Sequence, residues 1–307
     1  MAFDNPTDAY TGADVAAMTP EVWSDIVNEP NFPKAVLTNF FTDLSEYMSA
    51  GGDIVHVPNI YTNTFTVQTQ STQGNGVVDE SVAQVDTTLT VNLHKYIAWL
   101  MGDLTVAQLA RSYKLNEKYA REAKNLLTVA VEDSLAALWS SLSTNSVGDT
   151  ATTLSDAEIR DAIYALDNLN YDLTETAFFF HPFVFWTQLS GIAKYYTHQT
   201  SELSLIRTGN FGKGDASRGL RGQLYDQPVY VTNRIVSGLQ TYRNLFAHPS
   251  AFGFAFQTKG ADRFRVQADY LLQNLAMLTV VDTIYGVAVL REPAAVVVNA
   301  NNTLKTS

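Results

Sequence analysis

Apolar and polar residues alternate with period two along residues 85–94. Val85, Thr87, Leu89, Val91 and Leu93 share one face, and Asp86, Thr88, Thr90, Asn92 and His94 share the other. That alternation predicts a strand with one covered face. An earlier stretch, Ile54 to Gln70, is less regular, but Thr64, Phe65, Thr66, Val67 and Thr69 are good strand formers. Between the two lies Gln73-Gly74-Asn75-Gly76, whose Asn-Gly pair favours a tight reversal. The pattern therefore predicts a hairpin with arms of about 15 residues, reaching about 50 Å. A two-stranded ribbon has little core to offset the entropy of ordering it, so its apolar face needs a cover. Either the chain's own body or a neighbouring copy can supply one. The second choice makes Phe65, Val67, Val85, Leu89, Val91 and Leu93 the candidate subunit-interface residues.

Downstream the period changes to 3.6. Tyr119, Ala123, Leu126, Leu127, Ala130, Leu135, Leu138, Trp139 and Leu142 step by threes and fours, with Arg121, Glu122, Lys124, Asn125, Glu132 and Asp133 filling much of the remainder. This predicts a helix from Asn116, read as its N-cap with Glu117 in the first turn, to Leu142. About 26 residues make a rod of roughly 39 Å whose single apolar stripe faces a sheet. The acidic pair Glu132-Asp133 is expected to be solvated.

The rest of the chain reads as shorter pieces. Thr19-Pro20-Glu21 opens a short helix, and Ala35 to Met48 offers a second one ending at Gly51-Gly52. Ser143 to Thr153 is a Ser/Thr/Gly-rich break. After it, Ser155 to Glu158 starts a helix with Ile159, Ile163, Leu166 and Leu169 on one face. Thr176 to Phe180, Gln227 to Thr232 and Phe252 to Phe256 read as strands, Thr208 to Gly222 as a mobile loop, and Phe264 to Tyr270 and Tyr285 to Leu290 as brackets around an apolar stretch. Helices mixed with antiparallel-looking strands predict the α+β class.

Composition narrows the chemistry. The 307 residues are 46% hydrophobic and 17% charged, an ordinary globular balance, and 31 acidic against 20 basic residues give a net charge of −11. Such a surface does not grip nucleic acid through broad phosphate neutralisation, although it can face it. With no cysteine there is no disulfide framework, thiolate metal site or thiol nucleophile. No 18-residue apolar run appears and residues 1–10 are acidic and polar, so neither a secretory signal nor a transmembrane span is expected. The five histidines, His56, His94, His181, His198 and His248, are scattered, and His181-Pro182 and His248-Pro249 read as turns. Gly212-Lys213-Gly214 lacks the upstream glycine and following Ser/Thr of a phosphate-binding loop. No catalytic residue, metal ligand or cofactor site is expected, and a soluble enzyme (a hydrolase) or binding protein with a diffuse site is the alternative from another class.

The order of parts is N-terminal arm, extended hairpin, long helix, break, mixed region and closing strand. With the Leu224-Tyr225-Asp226-Gln227-Pro228-Val229 turn into a strand and the close Ile284-Tyr285-Gly286-Val287-Ala288-Val289-Leu290-Arg291, it resembles the major capsid protein of tailed bacteriophages, a fold also used by encapsulin nanocompartments. The resemblance implies a non-enzymatic coat protein that assembles through pentamers and hexamers into an icosahedral virion shell, made in the host bacterial cytoplasm and enclosing double-stranded DNA without tight binding. An encapsulin-like shell is the runner-up. The implied parts are an arm (residues 1–52), an extended hairpin loop (53–96), a peripheral domain with a spine helix (97–142), an axial domain (143–257) and a return to the peripheral domain with the C-terminal tail (258–307). Implied partners are further copies of the chain, a portal, and in some shells a decoration protein. About 52 residues, broken by Pro20, Pro30 and Pro33, are too few for a fused scaffold, so a separate scaffolding protein is expected. A chain starting at Met1 is likewise expected to have lost no long prodomain.

Overall fold

In the computed structural model, which describes residues 35–48, 51–59, 67, 85–103, 115–142, 145–189, 192, 206–207, 220–235, 241–257 and 263–302, the strands gather into two large sheets and a two-stranded ribbon. In chain order the strands are β1 (Thr42–Asp43), β2 (Ile54–Asn59), β3 (Val85–Thr90), β4 (Leu93–Gly102), β5 (Ser146–Val147), β6 (Ala177–Phe180), β7 (Ile206–Arg207), β8 (Leu220–Leu224), β9 (Gln227–Val231), β10 (Thr241–Ala247), β11 (Phe252–Phe256), β12 (Arg265–Leu271), β13 (Ala276–Val289) and β14 (Ala295–Asn301). Helix α1 spans Leu115–Ala137 and α2 spans Asp156–Asp167. The mixed α+β class expected from the pattern is what the chain adopts.

The first sheet is organised by β13, a 14-residue strand. Along one edge β4 pairs with it antiparallel from Leu93 opposite Tyr285 to Gly102 opposite Ala276. Along the other edge β12 pairs with its first half, and β11 with its second half, from Phe256 opposite Tyr285 to Phe252 opposite Val289. The bracketed apolar stretch of the sequence is thus a single β12–β13 hairpin. Helix α1 lies on one face of this sheet, where Ala123 and Leu127 meet Val281, Ile97, Trp99 and Phe264.

The second sheet runs β5-β14-β10-β6-β9-β8-β7. Successive side chains alternate between its faces, and both faces are buried. Phe179, Leu245 and Val297 enter the main core with Leu135, Trp139, Phe252 and Phe254, while Phe178, Phe180, Phe246, Val296 and Val298 face α2 and its neighbours. Helix α2 begins with a reciprocal Ser155–Glu158 capping box and buries Ile159, Ala162 and Leu166, with Ile163 half-buried and Leu169 exposed. His181 Nδ1 accepts the Phe183 N–H at 3.2 Å and His248 Nδ1 the Ser250 N–H at 3.2 Å, so both histidines cap turns, as expected.

Several expectations are corrected. Residues 35–48 form no α-helix. They make a turn at 37–41, the short β1, and a 3-10 turn at Ser45–Met48, and they bury Val36, Leu37, Phe41 and Met48 in the body. This part of the supposed arm therefore belongs to the core. The boundaries at 143, 257 and 258 are crossed as well: β11 completes the first sheet, and β14, near the end of the chain, lies inside the second. Strand pairing between residues this distant in sequence leaves no local signature. Asn116 is not an N-cap but lies inside α1, where its side-chain oxygen accepts the Trp99 indole N–H at 3.2 Å. The last turn, Leu138–Ser141, tightens to a 3-10 helix. The helix at Thr19, the reversal at Gln73–Gly76 and most of the loop at Thr208–Gly222 lie outside the described residues. Gly222 itself is part of β8.

Candidate assembly surfaces

The root of the predicted hairpin is present. β2 and β3 pair antiparallel from Ile54 opposite Thr90 to Asn59 opposite Val85. The alternation is also real: Leu89 and Val91 are buried, Thr87, Leu93, Lys95, Ile97 and Trp99 are half-buried, and every even position from Asp86 to Leu100 is exposed. What covers the apolar face differs from the expectation. Leu89 (0% exposed) and Val91 join Leu44, Met48, Val55, Ala255 and Leu290 in one cluster, flanked by Val57, Ile284 and Ala288. Leu93 packs against the main core. These three residues anchor the hairpin to its own body and are removed from the neighbour-facing set. Val67 is exposed and keeps that role open. Phe65 lies outside the described residues, and Val85 is described only through its backbone pairing.

The anchoring has a steric signature at Gly286. Between β3 and β4 the chain crosses over β13, and a Cβ on Gly286 would stand 2.9 Å from Val91 Cα and closer still to the Thr90 carbonyl. The Val91 N–H donates to the Asp53 carbonyl at 2.7 Å, holding both arms together where they leave the body. Only glycine permits this approach.

Surfaces the alternation left unnamed lie further along the same strand. Cross-strand partners share a face. Since Ile97 and Val281 face α1, the opposite face carries Tyr96 beside Asp282 and Arg265, Ala98 beside Val280 and Gln267, and Leu100 beside Leu278 and Asp269. Tyr96 is 67% exposed and Leu100 48%. At the end of the sheet the β12–β13 turn adds Leu272 and Leu275, 79% and 64% exposed, with Leu275 held at φ +45°. A leucine in left-handed backbone is sterically disfavoured, and two leucines on an open turn form an exposed apolar surface. The signal was available in the sequence: the outward positions stay polar only to His94, then become Tyr96, Ala98 and Leu100.

On this open face Asp282 is nearly buried. Arg265 donates to its two oxygens from Nε at 3.0 Å and Nη2 at 2.5 Å, and His94 Nε2 lies 2.9 Å from it. The Arg265 hydrogen bonds, aided by His94, hold the Asp282 carboxyl below the usual carboxylate range against the burial that would raise it. The three groups come from β12, β13 and β4 and tie the sheet across its width. Among the described residues no cluster of three or more His, Asp or Glu could hold a metal ion, and no helix is long and apolar enough to cross a membrane.

No protein-family model matches the chain, and no curated protein matches it. Solved structures do. A chain of Mycobacterium phage Che8 superposes with a TM-score of 0.70 at 20% identity, covering 91% of this chain and 96% of that one. A chain from the capsid of the cyanophage P-SCSP1u gives 0.69 at 12% identity over 98% and 100% of the two chains. One from the mature capsid of bacteriophage PhiM1 gives 0.65 at 16% identity over 91% of each. The likeness covers 91% or more of this chain in each of the three. The chain has the fold of tailed-phage major capsid proteins.

Proposed function

We propose that the chain is a major capsid protein, a structural subunit that self-assembles through pentamers and hexamers into an icosahedral head shell around double-stranded DNA. The observation that carries this reading is the coverage, 91% or more in both directions, of chains from phage capsids. Exposed apolar side chains at Tyr96, Leu100, Leu272 and Leu275 support it, because a subunit that remains single has no reason to present them together. The net charge of −11 supports a wall that packaged DNA meets without adhering. Scaffolding and portal proteins, and a decoration protein on the outer surface, are the partners this role brings with it, and the virion is its place. Exposed Val67, with Phe65 beside it in sequence, keeps its proposed role at a neighbouring subunit's surface.

The test is a pair of substitutions, Leu100→Asp and Leu275→Asp. Each places a charge on a side chain that is already exposed, so circular dichroism should report an unchanged fold while sedimentation reports loss of large particles. Particles that assemble normally with both charges in place would remove these surfaces from the interface.

A further inference from the structure

We propose that Glu132 is a latch that makes the segment Val36–Thr38 and helix α1 move as one body. The inference goes beyond the shell reading and does not depend on it. The sequence pattern treats Glu132 as a solvated member of an acidic pair. In the structure only its neighbour Asp133 is exposed, meeting Arg234 at 3.4 Å, while Glu132 is 1% exposed. Its position explains the difference: residues three and four further along α1 are Leu135 and Ala136, both fully buried, so position 132 falls on the inward stripe.

A carboxylate in such a place must be compensated or it destabilises the fold severely. Among the described residues the compensation comes from a stretch of chain about 95 residues away in sequence. One carboxylate oxygen accepts the Val36 N–H at 3.2 Å and the Leu37 N–H at 3.0 Å. The other accepts the Thr38 N–H at 2.8 Å and the Thr38 hydroxyl at 2.9 Å. Among the described residues no cation pairs with it. Three consecutive backbone amides pointing at one anion is the arrangement of a helix N-terminus, supplied here by the turn in which the Phe40 and Phe41 N–H groups both bond the Leu37 carbonyl. Glu132 therefore caps, from another element, a turn that its own residues leave uncapped.

The turn carries Phe40 and Phe41, which key into the body. Phe41 packs at 4.9 Å between ring centroids on Phe252 of the first sheet and at 5.6 Å on Phe179 of the second, and Phe40 packs at 5.0 Å on Phe179. Rotation of α1 must pull on residues 36–38, and displacement of residues 36–38 must either drag α1 or leave a buried anion unpaired. The coupling thus joins the N-terminal segment, the long helix and the seam between the sheets.

Amide hydrogen exchange on the full-length chain tests this. In the native chain the amides of Val36, Leu37 and Thr38 should exchange in the same opening event as those of Val131 to Ala136. In Glu132→Gln, one acceptor oxygen becomes a donor facing a donor, and protection at residues 36–38 should fall about tenfold or more while Leu245 and Val297, paired in the central strands, keep theirs. Thr38→Val removes one of the four donors, keeps the glutamate, and should give a smaller loss confined to the same segment; it decides the matter if Glu132→Gln does not fold. Unchanged protection at residues 36–38 in either folded variant, or a loss shared equally by the central strands, would overturn the latch.

Discussion

Leu89→Ala separates a hairpin rooted in its own subunit from one covered only by a neighbour. Leu89 is fully buried among Leu44, Met48, Val55, Val91, Ala255 and Leu290. Truncation to alanine deletes three carbons, which at about 0.8 kcal/mol per buried methylene loses about 2.4 kcal/mol of transfer free energy. A cavity term adds to this because the walls have little room to collapse. The Val91 N–H is pinned to the Asp53 carbonyl, and Leu290 is so close to β11 that its Cδ1 would stand 2.7 Å from a Cβ on Gly253. The expected total is about 3–4 kcal/mol, within the range for buried leucines. Denaturant unfolding of the unassembled subunit measures it, with Tyr96→Ala on the open face as the comparison, expected within about 0.5 kcal/mol of the native chain. If Leu89→Ala costs under about 1 kcal/mol in the subunit yet abolishes particles, the side chain is covered by a neighbour and the rooted hairpin is wrong.

Adjacent leucines on α1 give a second contrast. Leu127→Ala should cost about 2–3 kcal/mol by the same measurement because Leu127 is 2% exposed against Val281, whereas Leu126→Ala, 49% exposed, should change stability by less than about 0.5 kcal/mol. Gly286→Ala should lower stability by about 1–3 kcal/mol or block folding, because the new methyl meets backbone at Thr90 and Val91; a thermal melt matching that of the native chain would contradict the close crossing. Asp282 has a folded-state pKa below its ordinary value, so its stabilising contribution is complete above the ordinary carboxylate range and is lost as pH falls through the lower folded value. Asp282→Asn should accordingly flatten the acid limb of the stability profile below about pH 4, and an acid limb identical to that of the native chain would exclude the triad as its source.

The elements with local periodicity were legible in the sequence and those built from distant pairing were not. The odd–even alternation of residues 85–94 identified the covered face correctly, because side-chain direction in a strand is set by the backbone alone. It carried no information on what does the covering, and Leu89 and Val91 turned out to be held by residues 44–48, 255 and 290. On α1 the steps of three and four found Leu127, Leu135 and Trp139 but included Leu126 and Tyr119, which the helix turns outward, and excluded Glu132, whose charge masked an inward position. Residues 35–48 look helical by composition, yet burial of Phe41 between two sheets and the short parallel pairing of β1 with β11 override that preference. Phe252 to Phe256 alternates in sequence but is buried on both faces, because Phe252, Phe254 and Phe256 enter the main core on one side while Ala255 joins Leu89, Val91 and Leu290 on the other. The open face from Tyr96 to Leu100 was readable in principle, since the outward positions of the strand turn from polar to apolar after His94.

Electron microscopy tests the central claim most directly, on the purified chain expressed alone and together with the genes that neighbour its own. The account predicts curved shells built from five- and six-membered rings, irregular from the chain alone and closed and uniform when a scaffolding partner is present. A chain that stays a dispersed monomer or small oligomer in both preparations, at concentrations where its fold is intact, would contradict it.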